Sequence, residues 1–361
     1  MDREPDMTHL KLTTYFGERA RAGSRFLAEA MLDTYAEHQV AASVMLRGIA
    51  SFGPRHVIRS DQSLTLSEDP PVAIAAVDTE EVIGALIGDV VEMTPRGLIT
   101  LERAQLLGSD LAQAPMPDGD AVKLTIYIGR RRRVNGLPGY YAVCDLLHRH
   151  GFAGATVFLG VDGTAHGQRR RAHFFSRNID VPVMVIAVGT RAQVQQVLPG
   201  LEEVLYQPLI TVERIGVCKR DGQLLARPPA LPAVDAHGRE LRQKLMIYTS
   251  ESTHYDGAPI HRALVRKLWE SGTVSGATVL RGIWGFHGDH KPHGDRLIQY
   301  GRQVPVTTIV VDTPEVIAGC FDLIDEVTGS HGLVTCEMVP ALVMLDGGER
   351  RGATDLADYR Y

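Results

Sequence analysis

An arginine followed by a glycine occurs twice where an apolar, β-branched stretch runs into a glycine-rich segment. The two pairs are Arg47-Gly48 and Arg281-Gly282. Glycine lets backbone N–H groups approach an anion closely, and a guanidinium adds a bidentate, charge-assisted hydrogen-bonded pair. The sequence therefore predicts a cradle for a phosphate or a carboxylate, to which the same segments add Gly53, Gly285 and Gly288.

A structural role would account for the same residues without any ligand. Each arginine would pair with a glutamate, and Glu102 and Glu337, farther along the chain, are the plausible partners. The glycines would then only form turns. The residue types alone leave both interpretations open.

Three histidines with a spacing of three residues follow the second arginine. They are His287, His290 and His293, with Asp289 between the first two. Imidazole and carboxylate groups suit zinc, copper or nickel, so a divalent metal is one hypothesis for this segment. The segment is rich in glycine and proline and is not helical, which separates it from the helical His-Glu-x-x-His pattern of metalloproteases. A solvated loop is the alternative.

The stretch that carries the second cradle, Gly276 to Gly288, recurs twice earlier in weaker form. The earlier copies are Ala42 to Gly53 and Gly154 to Val161. A repeat of more than a hundred residues exceeds the period of solenoid repeats, roughly 20 to 50 residues. The chain is therefore predicted to hold three copies of one domain, at residues 8–107, 121–219 and 241–345. The second copy is degenerate in its loop, because Leu159 replaces the arginine.

Within each copy the apolar patterns predict the order strand, helix, strand, strand, helix, strand. That order is typical of the ferredoxin-like split βαβ fold, so the predicted class is α+β with three ferredoxin-like domains. Long polar loops are expected after the second strand of each copy, at 51–69, 162–180 and 285–303. The linkers 108–120 and 219–240 are expected to be extended, and the tail 346–361 to be frayed.

Composition excludes several classes of protein. Of 361 residues, 44% are hydrophobic and 22% charged, and the net charge of −5 argues against general binding of nucleic acid. No apolar run approaches the roughly 20 residues of a membrane span. The N-terminus lacks the apolar core of a signal peptide, and the four cysteines show no paired spacing. These features predict a soluble, cytoplasmic protein. No nucleophile elbow, Walker loop or dinucleotide fingerprint is visible, so no catalytic residue is predicted.

An ordered set of short motifs resembles the PII-like proteins of the "domain of unknown function 190" family. The set is Lys-Leu-Thr-x-Tyr, Gly-Ala-Thr-Val-x-Arg-Gly-Ile, Pro-Val and Gly-Leu-Ile-Thr-x-Glu, and it covers all three copies. The resemblance implies subunits that form homotrimers and bind nucleotides or other small effectors in the clefts between them. A loop after the second strand would report the bound state to a membrane transporter or an enzyme. Three copies in one chain would then form an intramolecular PII-like pseudo-trimer that is a monomer in solution.

The resemblance also implies that the turn before the last strand of each copy helps to hold phosphates. Arg96, Gly97 and His331 are the residues that these turns offer, and a plain surface turn is the alternative. The predicted function is a non-enzymatic sensor of a small anionic effector, with an adenine nucleotide as the candidate. An enzyme of ferredoxin-like fold acting on a small substrate, or a metal-binding protein using the histidine segment, are the alternatives.

Overall fold

The computed structural model describes residues 9–55, 57–60, 69–107, 117, 119–169, 182–205, 208–288, 292–294 and 304–358. The first repeat consists of β1 (His9–Gly17), β2 (Arg21–Ala22), β3 (Arg25–Phe26), α1 (Leu27–Glu37), β4 (Ala42–Phe52), β5 (Arg59–Ser60), β6 (Pro71–Thr79), α2 (Glu80–Met93) and β7 (Arg96–Leu107). The second consists of β8 (Ala121–Gly129), β9 (Arg133–Val134), β10 (Leu137–Pro138), α3 (Gly139–Arg149), β11 (Gly154–Leu159), β12 (Asp162–Ala165), β13 (Gln168–Arg169), β14 (Pro182–Thr190), α4 (Arg191–Val204), β15 (Leu209–Arg220) and β16 (Gln223–Leu224).

The third repeat runs to the end of the described chain. It consists of β17 (Arg242–Ser250), β18 (His254–Tyr255), β19 (Ala258–Pro259), α5 (Ile260–Ser271), β20 (Ala277–Arg281), β21 (Trp284–His287), β22 (His293–Gly294), β23 (Pro305–Asp312), α6 (Pro314–Thr328), β24 (Leu333–Val339), β25 (Ala341–Asp346) and β26 (Glu349–Ala353). Parts of the three predicted long loops are short strands, namely β5, β12, β13, β21 and β22. Residues 56, 61–68, 170–180, 289–291 and 295–303 of those loops lie outside the described residues.

Local sequence signals position the second helix of each repeat. The strand before it begins with proline, where a missing N–H costs no interior hydrogen bond of the ladder. The helix itself begins after a threonine whose hydroxyl accepts a hydrogen bond from the backbone three residues on, as expected of a helix cap. Thr79, Thr190 and Thr313 make this bond at 3.3, 3.2 and 3.3 Å.

The strands of the repeats do not form three separate sheets. They join one 20-stranded sheet, within which nine strands close on themselves through antiparallel pairings. The order around this closed barrel is β4, β20, β23, β17, β24, β15, β7, β1, β6 and back to β4. The predicted fold class, three ferredoxin-like domains forming an intramolecular PII-like pseudo-trimer, is wrong. The structure is dominated by strand and by this closed barrel.

The barrel closes because some strands extend beyond the sheet of their own repeat and pair with a strand of another repeat. The end of β7 pairs with β15, the end of β15 pairs with β24, and β25 pairs with the start of β7. The second strands cross over as well, since β4 pairs with β20, β21 with β11, and β12 with β4. Each of these strand edges thereby finds hydrogen-bond partners on another repeat, which satisfies the N–H and C=O groups that an open edge would expose.

Four hydrophobic clusters fill the layers. Three lie between the helices and the sheet of one repeat each, and each also receives side chains from a neighbouring repeat, such as Trp284 in the cluster of α3 and α4. The fourth joins all three repeats, with Met184, Met246 and Leu46 among its members. Since burying a large apolar side chain contributes roughly 1.5 to 3 kcal/mol, this shared cluster is a main source of cohesion between the repeats.

Three lysines and three glutamates form a closed ring of alternating charges at the centre. The order around the ring is Lys11, Glu213, Lys123, Glu337, Lys244 and Glu102. Nitrogen–oxygen distances are 3.2 Å for Lys11–Glu213, 2.8 Å for Lys123–Glu213, 2.7 Å for Lys244–Glu337 and 4.0 Å for Lys11–Glu102. Lys123 and Lys244 also donate hydrogen bonds to Glu337 and Glu102. Every side chain in the ring is at most 8% exposed.

Each lysine of the ring touches one glutamate of its own repeat and one of another. Within a repeat the partners are cross-strand neighbours, as Lys11 and Glu102 are in the β1–β7 pairing. Burial alone would lower the pKa of these lysines and raise that of the glutamates, but the opposite charges reverse both effects. The pKa of Lys11, Lys123 and Lys244 is raised, and the pKa of Glu102 and Glu337 is lowered.

The C-terminal segment is ordered as far as the structure describes it, to residue 358. After β25 the chain turns through Gly347 and Gly348, and β26 pairs back on β25. Ala357 is fully buried, and its N–H donates to the carbonyl of Pro340 at 2.8 Å. The expectation of a frayed tail from residue 346 is therefore wrong as far as residue 358, because this segment forms β26 and buries Ala357.

Removing one cation should break the ring. We expect Lys123→Met to lower the free energy of unfolding by about 3 to 5 kcal/mol, since it leaves buried carboxylates without their partner. Chemical denaturation measures this loss. Lys267→Met is the control, because that lysine pairs with Glu326 at 3.1 Å on the surface and its loss should change stability little. An equally small effect of both substitutions would contradict the structural role of the ring.

The ring should also set the pH range of stability. The lowered pKa of Glu102 and Glu337 stabilises the fold above the unfolded value of about 4.3, and this contribution is lost as the pH falls. The raised pKa of the three lysines stabilises the fold below the unfolded value of about 10.4, and is lost as the pH rises. Denaturation midpoints across pH should show a plateau between those limits. A midpoint that does not fall below about pH 4 would contradict this assignment.

Candidate functional site

A cavity of about 600 Å³ opens between repeats 1 and 3. Repeat 1 supplies the end of β1, the segment after β4 and the start of β7. Repeat 3 supplies the start of β20, part of β23 and the tip of the β25–β26 hairpin. The two crossing strands create this arrangement, because β4 carries its C-terminal end onto β20 and β25 lies along β7.

Apolar side chains from both repeats form much of the cavity wall. Repeat 1 contributes Phe16, Phe52 and Leu98, and repeat 3 contributes Ile309 and Met344. Concave sites with apolar walls and a few convergent polar groups are the usual form of small-molecule sites, with volumes of roughly 300 to 1,000 Å³. The cavity therefore has the size and the lining of a ligand site.

The charged groups among the described lining residues are mostly cationic. Four are arginines and two are aspartates: Arg19, Arg55, Arg59, Arg96, Asp69 and Asp346. Asp346 Oδ1 lies 2.7 Å from Arg96 Nε and 3.1 Å from Arg55 Nη2. These hydrogen bonds, from Arg55 and then Arg96, lower the pKa of the Asp346 carboxyl. A cavity with more guanidinium than carboxylate groups favours an anionic ligand.

The second aspartate of the cavity has a different setting. Asp69 Oδ1 accepts a hydrogen bond from the backbone N–H of Arg19 at 2.7 Å, and Asp69 Oδ2 lies 3.5 Å from Arg59 Nη2. Asp69 therefore fastens the segment after β1 to the segment before β6. It helps to shape the mouth of the cavity.

Three residues predicted from the sequence line this cavity: Gly53, Arg96 and Gly97. Gly97 is needed for packing, since a Cβ there would lie 2.6 Å from the Tyr15 carbonyl oxygen. Gly53 is different, because a Cβ there would meet no atom within 4 Å. Their role in binding remains a prediction.

The other predicted cradle residues are not among those that line the cavity. Arg47 donates to Glu18 at 2.6 Å, and Arg281 donates to Glu251 at 2.6 Å. The glutamates proposed as their structural partners, Glu102 and Glu337, belong to the buried ring instead. Both arginines thus have a glutamate neighbour, and it comes from the segment directly after the first strand of the repeat. His331 lies in the exposed turn before β24.

The predicted cradle glycines outside the cavity stand where strands of different repeats approach closely. A Cβ on Gly285 would lie 2.2 Å from the Ala155 carbonyl oxygen, and one on Gly282 would lie 2.8 Å from Thr156. A Cβ on Gly48 would lie 2.8 Å from the carbonyl oxygen of Val279, across β4 and β20.

Gly288 adds a conformational requirement, because its φ is 55° and a Cβ there would lie 2.5 Å from the Asp221 carboxylate. Left-handed backbone of this kind favours glycine. The role visible for these four glycines is close contact between repeats. Their role in binding a ligand remains a prediction.

Repeat 2 differs at both members of the arginine–glutamate pair. Leu159 stands at the position of Arg47 and Arg281, as each lies opposite the valine that follows the first proline of the third strand. Arg130, which directly follows β8, stands where the other repeats have Glu18 and Glu251. Both members have changed together, so repeat 2 keeps neither the glutamate nor the arginine of this pair.

The predicted metal segment is only partly described. His287 and His293 lie on β21 and β22, with ring centroids 6.2 Å apart, and His290 lies outside the described residues. Among the described residues, the one group of three potential ligands within 4.8 Å of each other is the glutamate set of the ring. Three lysine ammonium groups already neutralise that set. Metal binding by the histidines stays a prediction.

Sequence reasoning missed most of the charged lining of the cavity. Arg55 and Arg59 fall in a stretch interpreted as a long loop, and Asp346 falls in the tail expected to be frayed. Arg19 lies in a polar turn without periodicity. The one available signal was the density of arginines in residues 47–59.

A family model matches the chain three times, at residues 9–106, 121–217 and 242–341. The model is that of the DUF190 family, described as "Uncharacterized ACR". The chain belongs to the DUF190 family. The prediction of three tandem copies of this domain is confirmed.

Curated relatives correspond to a single copy of the DUF190 domain. The chain is similar to a UPF0166 protein of Aquifex aeolicus, with 32% identity over 108 residues, which is 29% of this chain and 99% of that protein. It is also similar to a UPF0166 protein of Methanocaldococcus jannaschii, with 33% identity over 84 residues, covering 23% of this chain and 76% of the relative.

Comparison with solved structures adds no argument about function. Aspartate kinase from Synechocystis aligns over 93% of this DUF190 chain at 12% identity, with a TM-score of 0.25, and the chain spans 45% of that kinase. A score this low carries no conclusion about fold. Within the described residues, no helix has the length and apolar character needed to cross a membrane.

A double-mutant cycle should show that Arg281 and Glu251 form an energetic pair. Their side chains are 26% and 17% exposed. We expect Arg281→Leu and Glu251→Gln each to lower the free energy of unfolding. The double variant should lose about 0.5 to 1 kcal/mol less than the sum of the two single losses, and this difference is the coupling energy of the pair. Denaturant titrations of the four proteins measure it. Additive effects within error would show that the contact contributes nothing to stability.

Proposed function

We propose that this DUF190 protein is a non-enzymatic sensor that binds a small anionic effector between repeats 1 and 3. The observation that supports it is the cavity itself, which combines apolar walls with four arginines. An adenine nucleotide suits this lining, because a flat base can pack on Phe52 and Met344 while phosphates bind guanidinium groups. The resemblance to PII-like proteins, which bind effectors in clefts between subunits, points to the same class of ligand.

The position of the cavity suits a signalling role. Its walls come from two repeats and include the segment that follows β4. A ligand that contacts both repeats stabilises the arrangement in which the walls are close, and it shifts the population toward that arrangement. We propose that this shift regulates a partner protein, with a transporter or an enzyme as the candidate class.

Filling the cavity should weaken effector binding without unfolding the protein. Gly53→Leu places a side chain where no atom lies within 4 Å of the Cβ position. We expect it to weaken binding of ATP or ADP by more than about tenfold, the effect of 1.4 kcal/mol, while the melting temperature changes little. Isothermal titration calorimetry measures the affinity, and an assay of released phosphate detects turnover.

The matched control is Gly84→Leu, on the exposed face of α2, where a Cβ also meets no atom within 4 Å. It should leave the affinity unchanged. Nucleotide binding by the wild type that survives Gly53→Leu would place the ligand elsewhere. Steady release of product would favour the alternative of an enzyme over a sensor.

A further inference from the structure

We infer that Arg55 and Arg96 form the oxyanion subsite of the cavity and that Asp346 occupies it as a built-in competitor. An effector with a terminal phosphate or carboxylate group displaces Asp346 from the two guanidinium groups. This inference rests on the proposed function, because it names the chemistry of the ligand and the residue against which it competes.

The carboxylate of Asp346 is held as a bound anion would be. Its Oδ1 accepts from Arg96 Nε at 2.7 Å and lies 3.1 Å from Arg55 Nη2. Its Oδ2 accepts from Arg55 Nε at 3.2 Å. Arg55 thus contacts both oxygens in the fork geometry that guanidinium groups use for carboxylates and phosphates. The two arginines converge on one oxyanion.

The three residues come from three separate parts of the chain. Arg55 follows β4, Arg96 begins β7, and Asp346 is the last residue of β25 before the glycine turn of the hairpin. The hairpin tip lies against repeat 1, since the N–H of Gly347 donates to the Pro95 carbonyl at 3.1 Å. The C-terminal hairpin therefore delivers a carboxylate into a site made by repeat 1.

The contact of Asp346 with Arg55 and Arg96 is exposed enough for another anion to replace the carboxylate. The side chains of Arg55, Arg96 and Asp346 are 59%, 48% and 31% exposed. Ion pairs of this kind contribute little to stability because water screens them and long side chains lose freedom in them. A ligand that brings its own oxyanion and also covers the apolar wall gains contacts that Asp346 lacks.

The corresponding hairpin of repeat 2 makes a different contact. Its tip, Asp221 and Gly222, packs directly on the turn before β24, where a Cβ on Gly222 would lie 2.5 Å from the backbone of Ser330. Among the described residues, Asp221 pairs with its neighbour Arg220, at 3.4 Å. Among the residues that the structure describes, the β25–β26 hairpin shows a carboxylate between two arginines of another repeat, and the tip of the β15–β16 hairpin does not.

The test is a titration of four proteins with three probes at constant ionic strength. The proteins are the wild type, Asp346→Asn, Arg96→Ala and Glu349→Gln, and the probes are ATP, inorganic phosphate and succinate. Asp346→Asn should tighten binding about two- to tenfold by removing a competing ion pair. Arg96→Ala should weaken binding about tenfold or more by removing a charge-assisted hydrogen bond. Glu349→Gln makes the same charge change on the same hairpin and should have no effect.

The outcomes separate this inference from the proposed function. If ATP binds the wild type and Asp346→Asn leaves its affinity unchanged or weaker, Asp346 is not a competitor, and the sensor proposal stands. If none of the probes binds the wild type or Asp346→Asn, the sensor proposal falls and this inference falls with it. Tightening seen with phosphate or with succinate supports the inference and shows which oxyanion the subsite accepts.

Discussion

The buried ring of alternating lysines and glutamates is the constraint on which the arrangement of the repeats depends. It is neutral only when all three repeats contribute a cation and an anion, and each side chain has a partner from a different repeat. A slip of one residue in any strand would turn its charged side chain to the opposite face. The ring therefore fixes the register of the strands as well as the association of the repeats, and a single unpaired member would be a buried charge.

The buried ring differs from the arginine–glutamate pair of repeats 1 and 3 in its exposure to water. This difference explains which charged side chains repeat 2 lacks and which it keeps. Repeat 2 has replaced both members of that pair, with Arg130 and Leu159, yet it keeps Lys123 and Glu213 in the ring. The pair is partly exposed in repeats 1 and 3, so replacing both of its members should change the free energy of unfolding little. The ring is closed to water, so each repeat must keep its members. Within this chain the three repeats therefore differ at the partly exposed pair and agree at the buried ring.

The repeats and their main strands could be predicted from the sequence because they depend on local patterns. Closure of the barrel could not, since hydrogen-bond partners between edge strands leave no periodic signal. The same limit applied to the cavity: Arg55 and Asp346 are distant in sequence and lie in segments without regular pattern. The prediction of arginines as anion ligands named the right chemistry for this cavity, but of the arginines named, Arg96 alone lines it.

The C-terminal strand β25 extends the sheet alongside β7 and forms part of the cavity wall. β25 pairs with the start of β7, and the same strand places Met344 and Asp346 in the cavity wall. Any change that loosens this strand therefore alters the cavity, because β25 supplies part of its wall. By the same coupling, a ligand that bound between the hairpin and repeat 1, as proposed, would favour the pairing of β25 with β7, since binding to the folded form alone favours that form.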